Sequence, residues 1–150
     1  EIVLEEFLDV VGSLSCKPYL VFRAHPRDRL ALYKNYLGHF DKISKGGSPL
    51  QLLFGATLTV GLSTSLLIEA SLAGLNTLSI LPTETQKYLI PTVESGLTPC
   101  ATNREDLLKL LPSLINNKTQ PQLRPSVCSS ETKRIAQSII NIKFLRFFCN

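Results

Sequence analysis

Apolar and polar positions at the start of the chain recur at helical spacing. Val3, Phe7, Val10, Val11 and Leu14 fall on one face, with Glu1, Glu5, Glu6 and Asp9 between them. The acids lie toward the end that the helix dipole favours for negative charge. The pattern predicts a first amphipathic helix. The period then changes. Tyr19 to Arg23 reads as a short strand ending at His25-Pro26, and Asp28 is placed to cap a helix over 29–37. Ile43 marks a minor strand and Gly46-Gly47 a break. Ser48 and Pro49 form a cap and first-turn proline for a helix reaching about Phe54.

The clearest pattern runs from Ala56 to Pro82, ATLTVGLSTSLLIEASLAGLNTLSILP. A β-type run, Thr57 to Gly61, meets a turn of small hydroxylated residues, Ser63-Thr64-Ser65. An apolar helical segment follows, Leu66 to Ala73, stopped by Gly74, and a second β-type run spans Thr77 to Leu81. Further on, Glu84 to Tyr88 reads as a short helix and Leu97 to Ala101 as a last strand. Asn103 and Asp106 look like a cap with an acid in the first turn of a helix to about Ile115. Strands and helices alternate throughout. That order predicts an α/β fold over 1–116: a Rossmann-like, open, mostly parallel sheet with helices on both faces. Residues 117–130 are polar and proline-bearing, so a linker, and 131–150 form a C-terminal amphipathic helix.

Composition narrows the class. With 150 residues, 44% of them hydrophobic and 19% charged, the chain is that of a folded domain with a real core. The opening EIVLEEFLDVV lacks the basic segment of a signal peptide, and the chain contains no Met, so it reads as a fragment of a longer protein. Cys16, Cys100, Cys128 and Cys149 are scattered without a CxxC pair, and His25 and His39 complete no zinc pattern. Reduced thiols in the cytoplasm are the expectation, with no metal. The net charge of +4 is uneven: residues 117–150 carry six basic residues against one acid, leaving 1–116 at −1. A near-neutral body gives no support to nucleic-acid binding.

The candidate chemistry gathers at strand ends. In an open α/β sheet, ligands bind outside the carboxyl ends of the strands. Ser63, Thr64 and Ser65 sit there at a helix N-terminus, where amides and the macrodipole favour a phosphate; an ordinary N-cap uses the same residues. There is no GxGxxG and no Walker lysine. Glu69 interrupts an apolar helix one turn further on, so it must meet water, a partner or a ligand such as a ribose. His25 ends the first strand beside Pro26, with Arg23, Arg27 and Arg29 around it. It is suited to hydrogen-bonding a phosphate or base, or to protonating a leaving group, although a lone His at a strand end is more often structural.

FRAHPRD, followed by GLSTSLLIEASLAGLNTLSI, resembles the carboxyl-terminal half of a GT-B glycosyltransferase. The His-Pro and Ser-Thr pairs are similar to those of bacterial sialyltransferases and related polymer-forming transferases. The small turn, the acid and the EA…G pattern also resemble the nucleotide half of UDP-N-acetylglucosamine 2-epimerase. The likeness spans roughly 18–116. It implies a domain that grips a nucleotide-sugar donor, CMP- or UDP-linked, as substrate rather than cofactor. Ser63, Thr64 and Ser65 would meet the phosphates, Glu69 would face the ribose, and His25 and Pro26 would border the nucleotide, with His25 the catalytic candidate. The implied partner is an N-terminal Rossmann-like domain that carries the acceptor site, so transfer would require that half. Two alternatives stand beside this: half of an epimerase, or a non-catalytic interaction domain that keeps the fold. The basic C-terminal helix, with Ile135, Ile139 and Ile142 on one face, suits docking on the missing half, self-association, or an anionic membrane surface.

Overall fold

The computed structural model describes residues 2–116. The linker and helix expected over 117–150 lie outside the described residues. The chain packs as two compact units divided after Ser48.

In the first unit, α1 (Ile2–Gly12) buries Val10 and Val11. β1 (Val21–Phe22) and β2 (Lys42–Ile43) pair in parallel, with Val21 opposite Lys42. The connection between them is not the helix that the sequence predicts. It forms two 3-10 turns, Leu30–Tyr33 and Leu37–His39. Two causes are visible. The Asp28 carboxylate accepts from the Tyr33 hydroxyl at 2.9 Å instead of capping. Leu32 is 69% exposed, so the apolar residues do not line one helical face. Phe22 packs against Tyr33 and Phe40, ring centroids 5.0 and 4.9 Å apart, and these rings form the unit's aromatic cluster. The Tyr36 hydroxyl donates to Glu5 of α1 at 2.7 Å.

The second unit opens with α2 (Pro49–Gly55), then β3 (Thr59–Gly61), α3 (Ser65–Leu72) and β4 (Thr77–Ile80). The 3-10 turn Glu84–Leu89 and the short α4 (Pro91–Glu94) lead to β5 (Cys100–Ala101) and α5 (Arg104–Asn116). The three strands are parallel in the order β3-β4-β5, with Gly61 opposite Ser79 and Ser79 opposite Cys100. The fold is therefore α/β with parallel strands flanked by helices, in two small sheets. Every residue of β4 is buried, as a central parallel strand covered on both faces requires. Leu67 and Ala70 of α3, Leu78 and Ile80 of β4, and Leu107 and Leu111 of α5 supply the core.

Gly74 ends α3 as the sequence predicts. Its φ is +75°, its amide donates to Ser71, and the Leu75 amide donates to Ala70, both at 3.0 Å. That pair of bonds is a Schellman cap, which needs a left-handed residue just past the helix. Gly74→Ala should lower stability by about 1–2 kcal/mol, the cost of that conformation for a residue with a Cβ. A urea midpoint indistinguishable from wild type would refute it.

Candidate functional site

The β3–α3 turn is built by the side chain of Thr64. Its backbone is extended, and its Oγ1 accepts from the Leu67 amide at 3.2 Å. The Thr64 carbonyl accepts from Leu67 and Ile68. The amides of Ser65 and Leu66, first in α3, remain for an incoming oxygen. An N-cap hydroxyl that accepts keeps its own proton to donate. Ser63 and Ser65 are exposed beside it, and Glu69 is exposed one turn on. The chain leaving β3 is tied to β4, because the Ser79 hydroxyl donates to the Leu62 carbonyl at 2.7 Å.

A second polar group, not singled out from the sequence, lies where β4 and β5 end. Glu84 follows β4 and Thr102 follows β5. The Thr102 hydroxyl donates to Glu84 at 2.5 Å and lies 3.2 Å from Asp106, whose carboxylate accepts the Thr102 amide at 3.1 Å. Asn103 caps α5, its Oδ1 accepting from the Asp106 amide at 2.9 Å, as the sequence predicts. Lys87 pairs with Glu84 at 2.6 Å. Hydrogen bonds from Lys87 and then Thr102 hold the Glu84 carboxyl below its ordinary value. A depressed carboxylate contributes stability above its unfolded pKa, ordinarily 4.5, and loses it as pH falls through the folded value. Carboxyl carbon shifts followed by NMR should therefore place the Glu84 midpoint below that of an unstructured glutamate. A midpoint at or above it would contradict the Lys87 and Thr102 bonds. The sequence shows the Asn103–Asp106 cap, but for Glu84 and Thr102 its only signal is polar residues soon after two strands.

His25 lies in the first unit, at the start of a turn closed by Asp28 donating to the His25 carbonyl at 2.9 Å. Pro26 occupies the turn's second position, which its fixed φ suits. The His25 Nδ1 accepts from the Arg27 amide at 3.2 Å. The neutral ring therefore carries its proton on Nε2, as a donor to solvent or ligand. Arg23 is committed elsewhere: its guanidinium donates to Ser44, Gly46 and Gly47, at 3.2, 2.9 and 2.9 Å. So the structure brings Ser63, Thr64, Ser65 and Glu69 together on the second unit, and His25 with Pro26 on the first.

A groove of about 550 Å³ in the first unit, lined by Leu8, Gly12, Tyr36 and His39 among others, holds none of these six residues. Among the described residues, no three His, Cys, Asp or Glu side chains are grouped to hold a metal ion. Nor is any helix among them long and apolar enough to cross a membrane.

Cys16 and Cys100 are free thiols. Burial, more than any neighbouring charge, pushes the Cys100 thiol up. Iodoacetamide at neutral pH should modify exposed Cys16 first and Cys100 several-fold more slowly. Equal rates by peptide mapping would show that Cys100 is not shielded. No protein-family model, curated protein or solved structure matches the chain.

Proposed function

We propose that the second unit is the donor side of a GT-B-type glycosyltransferase and binds a CMP- or UDP-linked sugar at the β3–α3 turn. One observation carries the reading: an exposed, hydroxyl-lined helix N-terminus at the carboxyl end of a parallel strand. The amides of Ser65 and Leu66 and the hydroxyls of Ser63, Thr64 and Ser65 meet phosphate oxygens. Glu69 accepts from the ribose. The residues assigned to this site, Ser63, Thr64, Ser65 and Glu69, all belong to the second unit. Sugar transfer needs an N-terminal Rossmann-like domain. On this reading the protein works in the cytoplasm, where nucleotide sugars are found, and its basic C-terminal segment meets that domain or an anionic membrane.

A thermal-shift panel with CMP, UMP, UDP, CDP, GDP and ADP tests this. A ligand at one hundred times its dissociation constant adds about 2.7 kcal/mol. A pyrimidine nucleotide should raise the midpoint by several degrees, and UDP alone doing so with N-acetylhexosamine specificity would favour the epimerase half. No shift with any nucleotide would count against donor binding.

One observation favours a different reading, a non-catalytic interaction domain. The described strands of the second unit run β3-β4-β5 without reversal, and open α/β sheets form their ligand crevices where strand order reverses. An intact fold with a flat panel is its expected signature.

A further inference from the structure

Two glycines and one arginine meet where the chain leaves the first unit. Gly46 and Gly47 both take the left-handed conformation, with φ at +67°. A Cβ at either position would meet nothing within 4 Å, so glycine stands there for its backbone and not for space. Residues 45–48 are all exposed, and the first unit ends at Ser48. β1 and β2 are parallel, so both leave their sheet at the same edge. Backbone pairing with β1 reaches Ser44, whose amide donates to the Phe22 carbonyl at 2.8 Å. Beyond that point Arg23, the residue after β1, holds the segment after β2. One terminal nitrogen of its guanidinium donates to Ser44 Oγ at 3.2 Å and to the Gly46 carbonyl at 2.9 Å. The other donates to the Gly47 carbonyl at 2.9 Å. Among the described residues no other side chain bonds those two carbonyls.

We propose that Arg23 is a conformational latch on this connector. With the guanidinium in place, residues 44–47 form a fixed turn. With it withdrawn, the two glycines act as a hinge that opens while β1 and β2 stay paired. The bonds favour the closed turn because a charged donor makes stronger hydrogen bonds than a neutral one. A planar guanidinium also spans a hydroxyl and two successive carbonyls at once, which a compact ammonium on a flexible stem does not. Against these bonds stands the backbone entropy of two glycines, larger than that of any other residue. The bonds to Gly46 and Gly47 are exposed, so release leaves no buried charge behind. Such an opening is local, and local openings lie at the low end of a fold's stability. The latch needs no nucleotide and stands apart from the β3–α3 turn.

Limited digestion of the full chain with a lysine-specific protease, mapped by mass, tests this. Lys45 lies in the connector and Lys42 in β2, so the two cuts report on different parts of the first unit. When opening and closing outpace cleavage, the rate of each cut tracks the open population. Cleavage after Lys45 should be about ten-fold faster, or more, in Arg23→Gln than in wild type, the equivalent of losing one hydrogen bond to a charged group. Arg23→Lys should also cut faster than wild type, because the ammonium cannot bridge all three oxygens. Ser44→Ala, which removes only the 3.2 Å contact, should change the rate less than either. Cleavage after Lys42 should keep its wild-type rate in all three variants. Melting curves confirm that each variant folds. Equal cleavage after Lys45 in wild type and Arg23→Gln would overturn the latch. Faster cleavage after Lys42 and Lys45 together would overturn it too, because Arg23 would then be supporting the sheet and not the connector.

Discussion

Ser71→Ala should be the most damaging single substitution of a polar residue in the second unit. Ser71, Thr77 and Thr98 are all buried. The Ser71 hydroxyl donates to the Leu67 carbonyl at 2.9 Å and lies 2.8 Å from Thr77 Oγ1 and 2.6 Å from Thr98 Oγ1. A serine has one proton and two lone pairs. Its proton goes to Leu67, so both threonines donate to Ser71. This one oxygen joins α3, the start of β4 and the approach to β5. Removing it strands two buried donors, each at about 1–3 kcal/mol. We expect a loss of roughly 2–4 kcal/mol and a midpoint fall of roughly 10 °C or more. The combined variant Ser71→Ala, Thr77→Val, Thr98→Val should recover much of this, because matched apolar groups leave nothing unpaired. A Ser71→Ala midpoint within a degree of wild type would show that the hydroxyls do not act as a unit.

The second large effect concerns binding. Ser63→Ala with Ser65→Ala should weaken pyrimidine-nucleotide affinity at least ten-fold, equivalent to about 1.4 kcal/mol, with little change in midpoint. Both residues are exposed. Glu69→Ala should act likewise, since Glu69 is also exposed. Thr64→Ala should differ by lowering both. Its hydroxyl caps α3, and losing such a cap costs about 1 kcal/mol. Calorimetry and melting on the same four proteins separate the two roles. Undiminished nucleotide affinity in the double serine variant would remove those hydroxyls from the site.

Local signals that agree with one another were legible in the sequence. The β3–α3–β4 unit could be read because a β-branched run, a hydroxylated cap and a left-handed glycine lie in the order that such a unit needs. The Asn103–Asp106 cap was visible for the same reason. The connection over 29–37 was misread because its competitor is distant: Phe22 draws Tyr33 into an aromatic contact, and Asp28 spends its carboxylate on the same tyrosine. Pro91 starts α4 inside a stretch the sequence left unassigned, since four residues are too few to show a period. The Glu84–Thr102 bond joins residues eighteen positions apart, and only the pairing of β4 with β5 makes them neighbours. Thr77 and Thr98, which read as ordinary strand residues, both bond the Ser71 hydroxyl, a meeting that only the packing of α3 against the sheet creates.

The most direct test of donor binding is amide chemical-shift mapping of the full chain titrated with UDP and with CMP. Binding at the β3–α3 turn should move the amides of residues 62–67 first and furthest, with saturation at one equivalent. Saturable shifts confined to other residues, or none at millimolar nucleotide, would contradict a donor site at this turn.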